Sequence, residues 1–577
     1  MNVCTDKGGI IMEEVKKWQQ LYPSEIPISI TYDDKPLHAF LSEAAKSYKE
    51  KKALHFMGKE ISFQELYTEA KQMAHYLQLL GLKKGDRVAV MLPNCPQSVI
   101  SYYATLLAGG IVVQTNPLYK ERELEFQLND AGATFIVCLD ILLPRVSSIR
   151  GNTSLKHVLV TGIKDYLPFP KNVIYPFIQK KEYHMVVKVE QSEDTHVWRQ
   201  MMDQTNENFT EVDINPREDL ALLQYTGGTT GHPKGVMLTH YNLTANVQMC
   251  EAWLYKTKRG EEIVLGVLPF FHVYGMTAVM NMSIMQGSKM ILLPKFDAEE
   301  VLKTIDKQKP TLFPGAPTIY VGLLNHPDLK KYDLSSIEAC ISGSSALPKE
   351  VQEQFEQVTG GKLVEGYGLT ESSPVTHANF VWEARVNGSI GVPWPDTDSK
   401  IFSMEASGEE AATDEVGEIA VKGPQIMKGY WNNPEETENV LKDGWLFTGD
   451  LGYMDENGYF YVVDRRKDMI IAGGYNIYPR EVEEVLYENE GVQEAVVAGI
   501  PDPYRGETVK AYIVLKEGYT VDEAELNAYC RKHLAAYKVP RIYDFRNELP
   551  KTAVGKILRR QLVAEEKEQP MEDSKTV

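Results

Sequence analysis

Cysteine is scarce in this chain and scattered. Six thiols (Cys4, Cys95, Cys138, Cys250, Cys340, Cys530) are spread over 577 residues, and no two form a CxxC pair. That spacing excludes a disulfide framework and a Cys/His metal knuckle. It reads as free thiols in a reducing compartment. An excess of positive charge is missing as well: Lys plus Arg is 61 against Asp plus Glu 80, a formal balance of -19. Non-specific nucleic-acid binding needs clustered cations, so no nucleic-acid partner is expected; a small anionic ligand needs only a local site. The opening stretch, MNVCTDKGGIIMEEVKKWQQ, holds no apolar core of signal-peptide length. Two stretches, 91–119 and 270–288, lack charge over a membrane-spanning length. Pro93, Asn94, Pro96, Gly109 and Gly110 interrupt the first, and His272, Gly275 and Asn281 interrupt the second. Both are therefore expected as buried core and not as membrane spans.

What is present alternates. Ser62 and Glu65 form a capping box ahead of Leu66, Ala70, Met73, Leu77 and Leu80 at helical spacing, and Gly81 stops the run. Short apolar runs, RVAVML, GIVVQ, FIVCL, VLVT, EIVLGV and MILL, read as buried strands. Helical patterns lie between them, as at 298–308 behind Asp297 and at 349–358. Strands alternating with helices predict largely parallel, helix-covered sheets. The region 165–208 breaks this rhythm with LPFPKNVIYPFIQKKEYHMVVKV, and a surface insertion is the preferred reading over contact with a membrane surface. After VVDRRKDM the chain reads as a small α+β unit, which places a boundary near 464–467: residues 1–464 form one domain and 465–577 another.

The strongest local pattern is YTGGTTGHPKG at 225–235, behind the strand-like LALLQ. Glycines let the backbone approach a ligand, and successive N–H groups in such a turn form a nest for phosphate oxygens. Thr226, Thr229 and Thr230 add hydroxyls and Lys234 adds charge. It is not the usual P-loop, because Pro233 precedes Lys234 and Gly235 follows it.

YTGGTTGHPKGVMLTH resembles the signature of the adenylate-forming superfamily, which includes acyl-CoA synthetases, peptide-synthetase adenylation domains and beetle luciferases. Further motifs follow in the family's order: LPFFHVYG at 268–275, ISGSSALP at 341–348, EGYGLTE at 365–371, GWLFTGD at 444–450, VDRRKDM at 463–469, GGYNIYPRE at 473–481 and PKTAVGKI at 550–557. Length and motif detail look most like bacterial long-chain fatty-acid–CoA ligases. The resemblance implies an α/β fold: a large N-terminal domain of two helix-covered sheets plus a small β-barrel-like subdomain, and a small mobile α+β C-terminal domain. It implies ATP and CoA as co-substrates and Mg2+ as cofactor. It assigns Thr226, Gly227, Gly228, Thr229, Thr230 and Lys234 to the β- and γ-phosphates. Glu371 would hold the metal, with Thr226 as a second ligand, and Thr370 would contact the α-phosphate. Gly343, Ser344 and Ser345, with Tyr367 and Gly368, would frame the adenine and part of the acyl pocket, and Glu365 and Gly366 would count among the ATP-binding residues. Asp450 and Arg465 would take the ribose. Lys467 would be the hinge, Lys556 the catalytic lysine, and Gly473, Gly474 and Tyr475 the path for CoA.

The acyl pocket implied by the resemblance lies at His272, Tyr274, Gly275 and Met276, with Gly343 and Gly368. Amino-acid-activating relatives typically carry Asp just after the Phe of LPFFHVYG; here His272 follows Phe271, which leaves a substrate amine without a partner. A fatty acid is therefore the expected substrate. A ligase for a medium-chain, short-chain or aryl acid, transfer to a carrier protein, and an inactive binding protein are the alternatives. The resemblance leaves a homodimer open. The expected location is the cytoplasm, with peripheral contact at the inner face of the membrane left open because the substrate partitions into lipid.

Overall fold

In the computed structural model, residues 15–183, 185–226, 233–404, 408–472, 475–502, 504–552 and 555–568 are described. The predicted strands pair as buried neighbours. An eight-stranded sheet runs in the order Gly429–Tyr430, Lys234–Thr239, Leu220–Thr226, Ile111–Gln114, Arg87–Met91, Phe135–Leu139, His157–Thr161, Thr195–Val197. From Leu220–Thr226 onward its strands run parallel, as continuous apolar runs with helical connections require. The capping box forms as read: Ser62 Oγ accepts from Glu65 N at 3.2 Å and Glu65 Oε2 accepts from Ser62 N at 2.7 Å, opening the helix Phe63–Leu79. Asp297 caps Ala298–Gln308 through Glu300 N. The charge-free stretches are core: every residue of the helix Pro96–Leu107 is buried.

Two four-stranded sheets, one holding Ile263–Gly266 and the other Ala339–Ser342, are joined by bridges from Leu312 to Val264 and to Ala339. A third layer is an antiparallel five-stranded sheet that includes Gly417–Lys422, Trp445–Met454 and Phe460–Arg465. One apolar core runs through all of this, from Trp18 to Phe460. Beyond it, a five-stranded sheet with helices Pro479–Tyr487, Glu523–His533 and Arg559–Glu568 carries two small cores of its own. The molecule is thus a large lobe and a smaller C-terminal lobe.

The region 165–208 is more built than an insertion. Thr195–Val197 adds a parallel edge strand beside His157–Thr161, and Trp198, in the helix Trp198–Asp203, is buried. The helix Lys171–Tyr183 lies on the surface with one side packed through Gln179 and the other exposed. Cys95, Cys138, Cys250, Cys340 and Cys530 are free and buried.

Candidate active site

The strands Trp445–Met454 and Phe460–Arg465 form a hairpin whose register sets Asp450 opposite Arg465. Two motifs separated in sequence therefore share one site. Arg465 Nε lies 3.4 Å from Asp450 Oδ1, and Tyr367 donates its hydroxyl to Asp450 Oδ2 at 2.7 Å. Asp450 is buried, so this pair of contacts offsets the desolvation of its charge. Each carboxylate oxygen keeps a free lone pair for a further donor.

Thr226 and Lys234 are direct partners across an antiparallel pair of strands. The turn between them holds Gly227, Gly228, Thr229 and Thr230, which lie outside the described residues. Lys234 forms an ion pair with Glu436, and its ammonium stands 5.1 Å from the ring centre of Tyr430. Tyr430 in turn donates to Glu371 Oε1 at 2.8 Å. Thr226, Lys234 and Glu371 thus occupy one corner, with Thr370 opening the short 3-10 turn that presents Glu371. Tyr430 and Glu436 carry no local pattern that would have singled them out; only the pairing of Gly429–Tyr430 with Lys234–Thr239 brings them here.

Gly343, Ser344 and Ser345 form the turn after the strand Ala339–Ser342. Ser344 holds φ 74°, and its buried hydroxyl finds no partner among the described residues. Backbone strain and an unsatisfied donor both cost free energy, and they persist together mainly where a ligand takes them up. Gly366, Tyr367 and Gly368 end the neighbouring strand Lys362–Gly368. Glu365 in that strand is engaged elsewhere: Leu347 N donates to its carboxylate at 3.2 Å, burial pushes its carboxyl up to about 7, and Arg480 of the small lobe opposes that rise.

A loop of the small lobe that carries Lys556 also reaches this corner. Lys551 and Ile557 close it, Lys556 O accepts from Thr552 N at 2.7 Å, and Lys556 N donates to Thr552 Oγ1 at 3.1 Å. Gly555 there has φ +79°, and a Cβ on it would overlap Thr318 Oγ1 at the start of the large-lobe helix Pro317–Leu324. The glycine lets the loop turn and seats it on the other lobe. Burial, with the nearby Arg465 guanidinium, lowers the Lys556 ammonium to about 8 against the pull of Asp450 and Asp468. Burial also lowers Lys467, which feels both Arg465 and Lys234. Lys556 thus feels Arg465 and Lys467, and Lys467 feels Arg465 and Lys234, so cations from three separate segments act on one another here.

Burial and Lys556 together push His272 down to about 4, so its ring is neutral at pH 7. Tyr274 N donates to His272 Nδ1 at 3.3 Å, which puts the ring proton on Nε2. Tyr274 lies against Gly343, whose absent Cβ would stand 2.9 Å from its ring, and donates its hydroxyl to Ile341 O at 2.7 Å. Behind Tyr274 is a small, narrow apolar cavity, lined among others by Ala278, Met282, Val375 and Trp394. Of the expected pocket residues only Tyr274 lines it. Gly275 and Met276 begin the π-helical stretch Gly275–Asn281 that walls it, and Gly368 packs on the Pro374 carbonyl. Ala278 and Met282 could be suspected from their place downstream of LPFFHVYG; Trp394 gives no local signal. Gly473 and Gly474 lie outside the described residues. Tyr475 is exposed and stacks on Tyr537 with ring centres 4.7 Å apart.

The match to known proteins is extensive. The family described as AMP-binding enzyme matches residues 41–431, and that described as AMP-binding enzyme C-terminal domain matches 481–556. A Bacillus subtilis (strain 168) protein named long-chain-fatty-acid–CoA ligase is 61% identical over 558 residues, covering 96% of this chain and 99% of that protein. A Salmonella typhimurium protein of the same name is 39% identical, covering 95% and 98%. The crystal structure of ATP-bound MatB from Rhodopseudomonas palustris superposes with a TM-score of 0.81 at 30% identity, over 92% of this chain and 99% of that one. Profile matches in both lobes and close identity along nearly the whole length lead to one assignment: the chain belongs to the AMP-binding enzyme family, the adenylate-forming superfamily that its motifs resemble.

Proposed function

We propose that this protein joins a long-chain fatty acid to coenzyme A at the expense of ATP, through an acyl-adenylate, releasing AMP and pyrophosphate. The observation that carries the reading is that Lys556, from the small lobe, lies close enough to Arg465, Asp450 and His272 of the large-lobe motifs for their charges to act on one another. The name shared by the most similar relatives supports the acid class.

A carboxylate is a poor acyl donor because oxide is a poor leaving group. In the first step a carboxylate oxygen bonds to the α-phosphorus, and the bond to pyrophosphate breaks with its electron pair. Negative charge grows on the α-phosphoryl oxygens and on the departing group, where fixed cations lower the barrier. Asp450 and Arg465 hold the ribose, the turn at Ser344 and the ring of Tyr367 hold the base, and Thr226 to Lys234 hold the terminal phosphates. The Lys556 ammonium bridges the carboxylate and the α-phosphate. Neutral His272 presents Nε2–H toward the carboxylate, and the alkyl chain enters the cavity past Tyr274. In the second step the CoA sulfur bonds to the acyl carbon and AMP leaves, with Gly473, Gly474 and Tyr475 framing the thiol's approach once the small lobe, residues 465–577, has turned about Lys467.

The oxygens of Glu371 and Thr226 fit a magnesium ion, which binds through one or two protein oxygens and completes its shell with water and substrate phosphate. Bound there, the ion would neutralise charge on the β- and γ-phosphates.

A profile of AMP release against acid chain length, with ATP and with or without CoA, tests the assignment. Turnover of C14–C18 acids with little turnover of benzoates is expected. The reverse order removes the long-chain reading, and absence of pyrophosphate release with every acid removes the adenylating one.

A further inference from the structure

The helix Lys171–Tyr183 is turned the wrong way round for a free surface. Gln179 faces the body, buried, with its Nε2 donating to Asp140 Oδ2 at 3.2 Å. The side opposite Gln179 carries Val173, Ile174 and Phe177 at i, i+1 and i+4, and Ile178 flanks them; all four are exposed. Phe169, just before the helix, is 82% exposed and Phe177 is 74% exposed. Met57 joins them: Lys171 Nζ donates to Met57 O at 2.8 Å, and Met57 is exposed. Met185 and Val186 continue the apolar run beyond the helix. An apolar patch of this extent on an otherwise ordinary surface marks a binding face.

The charges around it choose the partner. On the helix, Lys171, Lys180 and Lys181 stand against one glutamate, Glu182, in a molecule whose balance is -19, while Lys188 beyond it pairs with Glu190 at 3.0 Å. Lys180 and Lys181 are exposed on the same outward half of the helix as Phe177. Apolar side chains standing out from the surface, ringed by lysines, match the headgroup region of an anionic bilayer. Rings enter the acyl boundary there while ammonium groups meet lipid phosphates. A protein partner would need a groove of matching shape for Phe169 and Phe177; a fluid bilayer needs none.

We propose that the helix Lys171–Tyr183, with Phe169 and Met57, docks this protein on the surface of a bilayer containing anionic phospholipid. The contact is peripheral, since no helix among the described residues is long and apolar enough to cross a membrane. It does not depend on which acid is activated, and it is measured without ATP, CoA or acid. Failure of this inference therefore leaves the catalytic assignment standing, and the converse holds too.

The test is co-sedimentation of the full-length chain with vesicles of phosphatidylglycerol mixed with phosphatidylcholine, and with vesicles of phosphatidylcholine alone. Binding to the first and weaker binding to the second is expected, with added salt reducing it. Phe169→Ser combined with Phe177→Ser, and Lys180→Glu combined with Lys181→Glu, should each lower the partition coefficient more than about 10-fold. Both pairs should release pyrophosphate from dispersed acid, without vesicles, at the parent rate, which shows that they fold. Parent binding that neither pair weakens, or no parent binding, overturns the proposal. So does a change in sedimentation coefficient of the Phe169/Phe177 pair without lipid, because the face would then join copies of the chain.

Discussion

Raising pH from 7 to 9 should weaken the adenylation step about 10-fold while sparing the thioester step. Lys556 is the reason. Its ordinary ammonium titrates near 10.5, and burial beside Arg465 lowers it to about 8 when the loop is seated on Thr318. That shift costs the charged form on the order of 3 kcal/mol. The direction follows: the ammonium is present below the lowered value and is lost as pH rises through it. About nine-tenths of the molecules carry it at pH 7 and about one-tenth at pH 9. Pyrophosphate release measured against pH at limiting ATP reports the free enzyme, so kcat/KM should show an alkaline limb near 8. At saturating ATP the limb should move upward, because bound phosphates restore the ammonium. Lys556→Ala should lower adenylation roughly 100- to 1000-fold, the cost of removing one fixed transition-state donor. Lys556→Arg should leave a slower enzyme whose alkaline limb is gone, since a guanidinium stays charged throughout. Thioester formation from supplied acyl-AMP should continue in all three conditions. A flat kcat/KM profile in the parent, or equal loss of both half-reactions in Lys556→Ala, would refute the bridging role.

Asp450→Asn should raise the ATP concentration for half-maximal rate about 10- to 100-fold, the worth of one or two charge-assisted hydrogen bonds, with a smaller change in kcat. Gly555→Val should abolish adenylation and keep thioester formation from acyl-AMP, because the new Cβ collides with Thr318; adding Thr318→Ala should recover part of the lost rate. Ala278→Phe narrows the cavity behind Tyr274 and should move the acid-chain optimum to shorter acids, read from AMP release across the series. Ser62→Ala removes the acceptor for Glu65 N and should cost about 1 kcal/mol of stability in a denaturant titration, with activity unchanged.

The strand-and-helix alternation was legible because buried parallel strands are apolar runs, as VAVML and FIVCL are. The capping residues Ser62 and Asp297 were legible because a cap acts over three residues. The region 165–208 misled because its edge strand, Thr195–Val197, is short, and its register comes from a partner that local pattern does not name. At the site, the motifs carried Asp450, Arg465, Tyr367 and Lys556, whose meeting depends on a hairpin register and a docked lobe. What the motifs left out shares one property. Tyr430, Glu436, Val375 and Trp394 act by position alone: an ordinary tyrosine that orients Glu371, an ordinary glutamate that holds Lys234, and an apolar wall assembled from distant segments. Nothing in a local window distinguishes them from core or surface.

The order of the two half-reactions follows from the same charges. With the loop seated, Lys234, Arg465, Lys467 and Lys556 act on one another, and both Lys467 and Lys556 are pushed toward their neutral forms. Glu436 and Asp450 pair with Lys234 and Arg465, while the Lys467 and Lys556 ammoniums stay disfavoured; a triphosphate inside the site would favour both, so ATP should draw the small lobe down. Adenylation then sends pyrophosphate away and leaves a single phosphoryl group in the acyl-adenylate. The counter-charge falls while the four cations stay. Arg465 and Lys467 lie at the hinge, so Lys556 is the cation that moves farthest with the small lobe, and among the described residues its loop meets the large lobe through a glycine's close approach to Thr318 and not through an ion pair. Its release is the cheapest way to relieve the repulsion, and it vacates the side from which a thiol must come. Chemistry in the first step thereby drives the exchange of lobe positions needed for the second. In a distance measurement between labels on the two lobes, ATP should favour the short distance and a bound acyl-AMP mimic the long one. If the mimic holds the lobes as close as ATP does, charge is not what moves them.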